Sequence, residues 1–195
     1  MSTTTLLYAA AATVGYLVGS LSPAAFLARR AGVDLRARGS GNVGATNVGR
    51  VLGRRTGVAV ALIDVTKGAL PAAGFGLIRP GAGLVAGLAA VIGHVTSPLL
   101  RGRGGKGVAT AAGAVLGSHP RWAPFVLVTW LLVLLASRWV ALASVSAALS
   151  LVAVAVVVGA AAPSLLWAAA LAATVVARHR PNLARWWSGR RASPD

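Results

Sequence analysis

The sequence predicts an all-α polytopic membrane protein with seven transmembrane helices, its N-terminus outside and its C-terminus inside. Three observations carry that expectation. Hydrophobic residues make up 56% of the 195-residue chain and the mean hydropathy is +0.75, a balance that does not suit a water-soluble domain. Apolar stretches, most of them near the ~17–25 residues that span a hydrocarbon core as a helix, recur along the whole chain. The basic residues between them fall almost entirely on one side once the spans are counted.

The spans read in order as 5–27, 57–77, 81–100, 107–118, 121–136, 140–158 and 160–177. No charge precedes the first, so it lacks the positive n-region of a signal peptide and reads as a retained helix. The fourth is short enough either to cross or to fold back, and charge decides between the two. If it crosses, the seven arginines from Arg29 to Arg55, the three basic residues of 101–106, Arg138 and the five arginines from Arg178 all share one side, 16 of the 19 basic residues. Only Arg79 and Arg121 fall opposite, and Lys67 lies within the second span. A re-entrant fourth segment would move Arg138 and the basic tail outside, against the positive-inside rule.

The length suggests one domain, 1–195. A net charge of +16 would suggest nucleic acid in a soluble protein, but here it follows from topology and suits an anionic leaflet. The absence of cysteine excludes disulfides and thiolate metal sites. With no glutamate and only Asp34, Asp64 and Asp195 as acids, a carboxylate-rich cation site is excluded too.

Polar chemistry is concentrated in four strings. The chain has two lysines, Lys67 and Lys106, each followed by glycine, and its asparagines are Asn42, Asn47 and Asn182. The first string, 38–50, has Gly39, Gly41 and Gly44 spaced as in a dinucleotide fingerprint. That fingerprint needs a preceding strand in a βαβ unit, which a helical membrane protein does not supply. The glycines can still let backbone amides form an anion nest, with Ser40, Asn42, Thr46 and Asn47 as neutral partners and Arg50 as a bidentate one. The alternative is a flexible connector.

The second string sets Asp64 and Lys67 three residues apart on one helical face, where they can pair. Charges at such depth face a cavity or the bundle interior; the alternative is a structural ion pair. The third runs from Gly93-His94 through Gly104-Gly105-Lys106-Gly107 to Thr110. It is not a Walker motif, because Gly107 stands where Ser or Thr should hold Mg²⁺. As a loop leading into a helix N-terminus it offers amides and a positive dipole end to an anion, with Lys106 as a point charge. His94 can accept a hydroxyl proton as a neutral imidazole, or serve as an interhelical hydrogen bonder. His119, beside Pro120, reads as a surface residue. The fourth string, Arg178-His179-Arg180-Pro181-Asn182-Leu183-x-Arg185, closes the last helix. Arg185, Arg190 and Arg191 read as a snorkelling anchor, with Trp186 and Trp187 in the interface.

Taken together, Gly-Ser-Gly-Asn-x-Gly-Ala-Thr-Asn-x-x-Arg at 39–50, Asp-x-x-Lys-Gly-x-x-Pro at 64–71, and Gly-His-x-x-x-Pro with Gly-Gly-Lys-Gly-Val-Ala-Thr at 93–110 resemble the bacterial acyl-phosphate:glycerol-3-phosphate acyltransferase family (PlsY). The resemblance covers nearly the whole chain, including His179-x-x-Asn182-x-x-Arg185. Two departures stand out: Trp139 and Ala141 replace an expected Tyr and Ser, and Arg191 stands where the family's tail glutamate is expected.

The resemblance implies transfer of a fatty acyl group from acyl phosphate to the primary hydroxyl of glycerol 3-phosphate. The products are lysophosphatidic acid and phosphate, an initiating step of phospholipid synthesis at the cytoplasmic face of the bacterial plasma membrane. It also implies no cofactor, no metal, no coenzyme A and no obligate protein partner. Ser40, Arg50 and Lys106 are then expected to hold the acceptor phosphate, and the 39–44 nest with Lys67 and Arg138 the donor phosphate. His94 orients or deprotonates the attacking hydroxyl, with Lys106 and Ser40 also catalytic. Asp64, Gly104, Gly105, Gly107, Thr110, His179 and Asn182 complete the expected substrate site. A transporter for an organic phosphate is the rival reading, but the two halves of the chain carry no evident internal repeat.

Overall fold

The structure, a computed structural model, describes residues 2–187, with side chains as far as residue 184. The readings of Arg185, Trp186, Trp187, Arg190 and Arg191 therefore lie outside the described side chains. The described residues are helical throughout their regular structure and divide into two compact units, the first ending at Ser118 and the second beginning at His119.

In the first unit, α1 (Thr3–Ser20) is capped by Ser2, whose Oγ accepts the Thr5 amide at 3.2 Å. The first expected span is not one helix. It breaks at Leu21 and Ser22 and restarts as α2 (Pro23–Arg30), because Ser22 Oγ takes the Ala25 amide at 3.2 Å and Pro23 brings no N–H to continue α1. The loop after the first span also holds a helix that the sequence reading missed, α3 (Ala45–Val51). There follow α4 (Arg54–Ile78), α5 (Pro80–Thr96), a 3₁₀ turn (Pro98–Leu100) and α6 (Val108–Ser118). The second unit holds α7 (Ala123–Ser137), α8 (Val140–Val157) and α9 (Ala162–Trp187). The fourth string forms the last described turns of α9, with Pro181 accommodated in the helix.

Among the described residues, four segments are long and apolar enough to cross a membrane: Thr3–Arg30, Arg54–Ile78, Pro80–Leu100 and Val140–Val157. Their large apolar side chains face outward: Leu62, Leu70 and Leu77 of α4 are each more than half exposed. This inverts the soluble pattern and is what lipid contact requires. Between helices the fillers are small. α1 packs on α5, and α4 packs on both α5 and α6. A methyl added to Gly15 or Gly19 of α1 would strike the carbonyls of Ala86 or Ala90 in α5. On α6, one added to Gly113 would strike the Val65 carbonyl of α4. Without a hydrophobic drive between helices in lipid, such close backbone approach supplies the van der Waals contact that holds them.

His119 is not a bare surface residue. It is partly buried, stacked on Trp122 at 3.9 Å between ring centroids and edge-on to Trp167 at 5.6 Å. Burial pushes its pKa below the ordinary histidine value.

Gly113→Leu is expected to cost about 1–3 kcal/mol through overpacking at the α4–α6 seam, seen as a lower thermal unfolding midpoint in detergent. Gly74→Ala in α4, where nothing lies within 4 Å of the new methyl, should leave the midpoint unchanged or raise it.

Candidate active site

The first string is organised by Asn47, which is fully buried on α3. Its Nδ2 donates to the carbonyls of Leu35, Arg38 and Asn42 at 3.0–3.1 Å, and its Oδ1 accepts the Ser40 amide at 2.8 Å. One amide side chain thus ties off the backbone of 35–42, where no ladder exists to do so. Gly39 makes this possible: it has φ +57, and a Cβ there would overlap Asn47 Oδ1. Two expectations are corrected. Asn47 is a structural knot with its donors spent inside the protein. The nest is also smaller than expected, because the Ser40 amide goes to Asn47 and the Gly41 amide to the Arg38 carbonyl at 3.1 Å. Around the knot, Ser40 and Asn42 are half-buried, Gly44 is buried, and Thr46 and Arg50 reach the surface.

The third string folds back on the end of α5. The amides of Gly102, Gly104 and Gly105 donate to the carbonyls of Ser97, Val95 and His94 at 2.9, 2.9 and 3.2 Å. The approach is close enough that a Cβ on Gly104 would strike the His94 carbonyl. A Cβ on Gly105 would strike His94 Nε2 and stand 2.9 Å from the Val43 carbonyl. The third string therefore touches the first at Val43, and Arg36 Nη2 fastens the two loops again by donating to the Arg103 carbonyl at 2.6 Å. Gly107, with φ +80, opens α6 by accepting the Ala111 amide at 2.8 Å. Lys106 is half-buried immediately before that N-terminus, where amides and helix dipole favour an anion. Thr110, in the first turn of α6, is fully buried, and its Oγ1 has no hydrogen-bond partner among the described residues.

The second string joins this centre from α4. Asp64 and Lys67 are 3% and 5% exposed, with Lys67 Nζ 2.9 Å from Asp64 Oδ1. Lys67 also donates to the Leu21 carbonyl at 2.6 Å. The ammonium expected on a substrate phosphate is thus engaged within the protein. The same Asp64 oxygen lies 3.6 Å from Nδ1 of the buried His94.

In the second unit, Arg138 is exposed and closes α7 with φ 52, its amide donating to Leu134 at 2.7 Å. Ala141, standing where a serine was expected, is buried in α8. His179 is 1% exposed, its Nδ1 donating to the Val175 carbonyl at 2.7 Å, and Asn182 is half-buried one turn further along α9.

Sequence reasoning missed Arg36, the Val43 carbonyl and the carbonyls of Ser20 and Leu21 at the α1–α2 break. Only the break carried a signal, Ser22-Pro23, an N-cap followed by proline at the first helical position. The others depend on where the backbone passes.

The described helices turn large apolar side chains outward, and the first unit folds the glycine loop before α6 against the buried His94. A family profile described as glycerol-3-phosphate acyltransferase matches residues 9–189. The glycerol-3-phosphate acyltransferase of Aquifex aeolicus is 42% identical over 179 residues, covering 90% of this chain and 93% of that protein. That of Geotalea daltonii is 40% identical over 176 residues, covering 89% and 91%. Among solved structures, the glycerol 3-phosphate form of PlsY, an integral membrane glycerol 3-phosphate acyltransferase, superposes with a TM-score of 0.92 at 38% identity, covering 95% of this chain and 94% of that one. The lysophosphatidic acid form of PlsY superposes with a TM-score of 0.89 at 37% identity. The chain belongs to the glycerol-3-phosphate acyltransferase family and is an integral membrane acyltransferase.

Asn47→Ala should release three carbonyls and one amide together, lowering stability by at least ~2 kcal/mol. Faster hydrogen exchange confined to residues 35–47 would check this.

Proposed function

We propose that this enzyme transfers the acyl group of an acyl phosphate to the primary hydroxyl of glycerol 3-phosphate, releasing lysophosphatidic acid and phosphate at the cytoplasmic face of the membrane. The reading rests on one observation above all: His94 Nε2 lies against Gly105, beside Lys106, where the first and third strings meet. An acyl phosphate is already an activated mixed anhydride, so the protein has mainly to position the reactants and stabilise developing charge. The acceptor oxygen bonds to the acyl carbon, the carbon–oxygen bond to phosphate breaks, and the proton of the hydroxyl leaves on His94 or on the departing phosphate.

Lys106, Arg50 and the Ser40 hydroxyl hold the acceptor phosphate in this reading. The N-terminus of α6, with Gly107 and Thr110, receives charge that develops on the donor, and Gly104 and Gly105 shape the loop that leads into it. Arg138, His179 and Asn182 are further substrate ligands in this reading. The acyl chain lies among the helices in the bilayer while the soluble acceptor enters from the cytoplasm. No metal, coenzyme A or protein partner is needed for these steps. Seven spans with the N-terminus outside and the C-terminus inside, in a bacterial plasma membrane, place all these groups on one side.

Purified protein in lipid should release phosphate from a long-chain acyl phosphate only when glycerol 3-phosphate is present, and should not turn over with acyl-coenzyme A as donor. Lys106→Ala should lower kcat/KM by at least ~10²-fold, and His94→Ala should lower kcat. An unchanged rate in Lys106→Ala would remove the chemistry from that loop.

The chain has no cysteine, so single introduced ones report topology. Thr46→Cys and Arg103→Cys should react with an impermeant thiol reagent only from the cytoplasmic side, and Arg121→Cys only from the opposite side. Labelling of Thr46→Cys and Arg103→Cys from different sides would overturn the seven-span arrangement.

A further inference from the structure

The acceptor-phosphate site is divided between two loops, with Ser40 and Arg50 in the first string and Lys106 in the third. These loops are distant in sequence, and a residue that the proposed chemistry does not use joins them. Arg36 reaches across 67 positions to donate from Nη2 to the Arg103 carbonyl at 2.6 Å.

The tether is firm at its Arg36 end. The Arg36 amide donates to Asp34 Oδ1 at 2.8 Å, and the Leu35 carbonyl accepts Asn47 Nδ2 at 3.0 Å. The Leu35 side chain is buried with Ala24, Ala28, Val43, Val48 and Val60. The backbone carrying Arg36 is thus fixed before its exposed side chain reaches out, so less freedom is lost on making the contact.

The other end needs holding. From 101 to 107 the chain carries side chains only at Arg101, Arg103 and Lys106, with glycine at every other position, and such a backbone has few packing contacts and much conformational freedom to lose. The amides of Gly102, Arg103 and Gly104 donate to the carbonyls of Ser97, Leu100 and Val95 at 2.9, 3.1 and 2.9 Å. Those bonds fasten the loop to the end of α5, but they do not fix its distance from the first string. Two contacts do so: the Arg36 bond to Arg103, and the approach of Gly105 to the Val43 carbonyl. A guanidinium keeps its charge at every physiological pH, so the Arg36 bond has a permanent donor.

We infer that Arg36 is a positioning residue for the acceptor phosphate: by holding the Arg103 carbonyl it keeps Lys106 at the distance from Ser40 and Arg50 at which one phosphate meets all three. This rests on the reading that those three groups share the acceptor phosphate. Arg36 touches no substrate in this assignment and acts through the loop.

The first measurement needs no substrate. Hydrogen exchange of the full chain in lipid should be about 10-fold faster over residues 101–107 in Arg36→Ala than in the parent, with α4 and α5 unchanged. In turnover, Arg36→Ala should raise KM for glycerol 3-phosphate by about 10-fold, with kcat and KM for acyl phosphate within about 3-fold of the parent. Arg36→Lys keeps a donor on a long stem and should recover part of both effects. Unchanged exchange over 101–107 in Arg36→Ala would overturn the inference whatever KM does, because a direct phosphate ligand changes binding without loosening the empty loop. A loosened loop with the parent's KM for glycerol 3-phosphate would sink it as well. So would faster exchange throughout α4 and α5 in both variants, since Arg36 would then support the whole unit and not one loop. Failure of the acyl-transfer reading is a separate result, absent phosphate release in the unsubstituted enzyme, and leaves the exchange measurement standing.

Discussion

Every backbone carbonyl freed inside a membrane must find a donor within the protein, because hydrocarbon offers none. The first unit is organised around that constraint. Breaking the first span at Leu21 and Ser22 frees the carbonyls of Ser20 and Leu21, and they are met by Ser97 and Lys67 from two other elements. The break is thereby pinned to α4 and to the turn after α5. Those attachments bring the end of α1, the Asp64–Lys67 pair and the His94 loop into one neighbourhood. A cation at this depth is costly alone, and Lys67 reduces the cost by serving a carbonyl and a carboxylate together.

The same economy governs the polar loops. Asn47 binds four backbone groups of the first string, and three amides of the third string fold back onto the last carbonyls of α5. Irregular backbone next to a membrane is held by its own hydrogen bonds. This explains how a chain with so few polar residues can build an enzyme of the glycerol-3-phosphate acyltransferase family.

Small residues make the arrangement possible at both levels. Between helices, the approach of Gly113 to the Val65 carbonyl and of Gly19 to the Ala90 carbonyl sets α4, α6, α1 and α5 close enough to pack without large side chains. In the loop, Gly105 leaves space for the His94 ring edge. A side chain at either kind of position would displace backbone, so the glycines set the distances on which the polar contacts depend.

Much of this was legible in the sequence. Hydropathy located the apolar helices, since a residue's affinity for lipid is its own property. The four strings, together with the family they resemble, marked the polar segments of the chain. The helix break was announced by Ser22-Pro23, a local signal obscured by the apolar run around it. What the sequence could not apportion was the duty of each polar residue. Asn47 and Lys67 have the chemistry of phosphate ligands, and Asn47 belongs to a string rich in glycine, yet both turn inward because freed backbone groups stand within reach. Arg36 and the Val43 carbonyl carried no pattern, because they matter only where two distant loops meet. Side-chain type determined what each residue could bind, and the tertiary path of the backbone decided which partner it met, because a hydrogen bond is made to whatever group lies about 3 Å away and not to the one the residue would suit best.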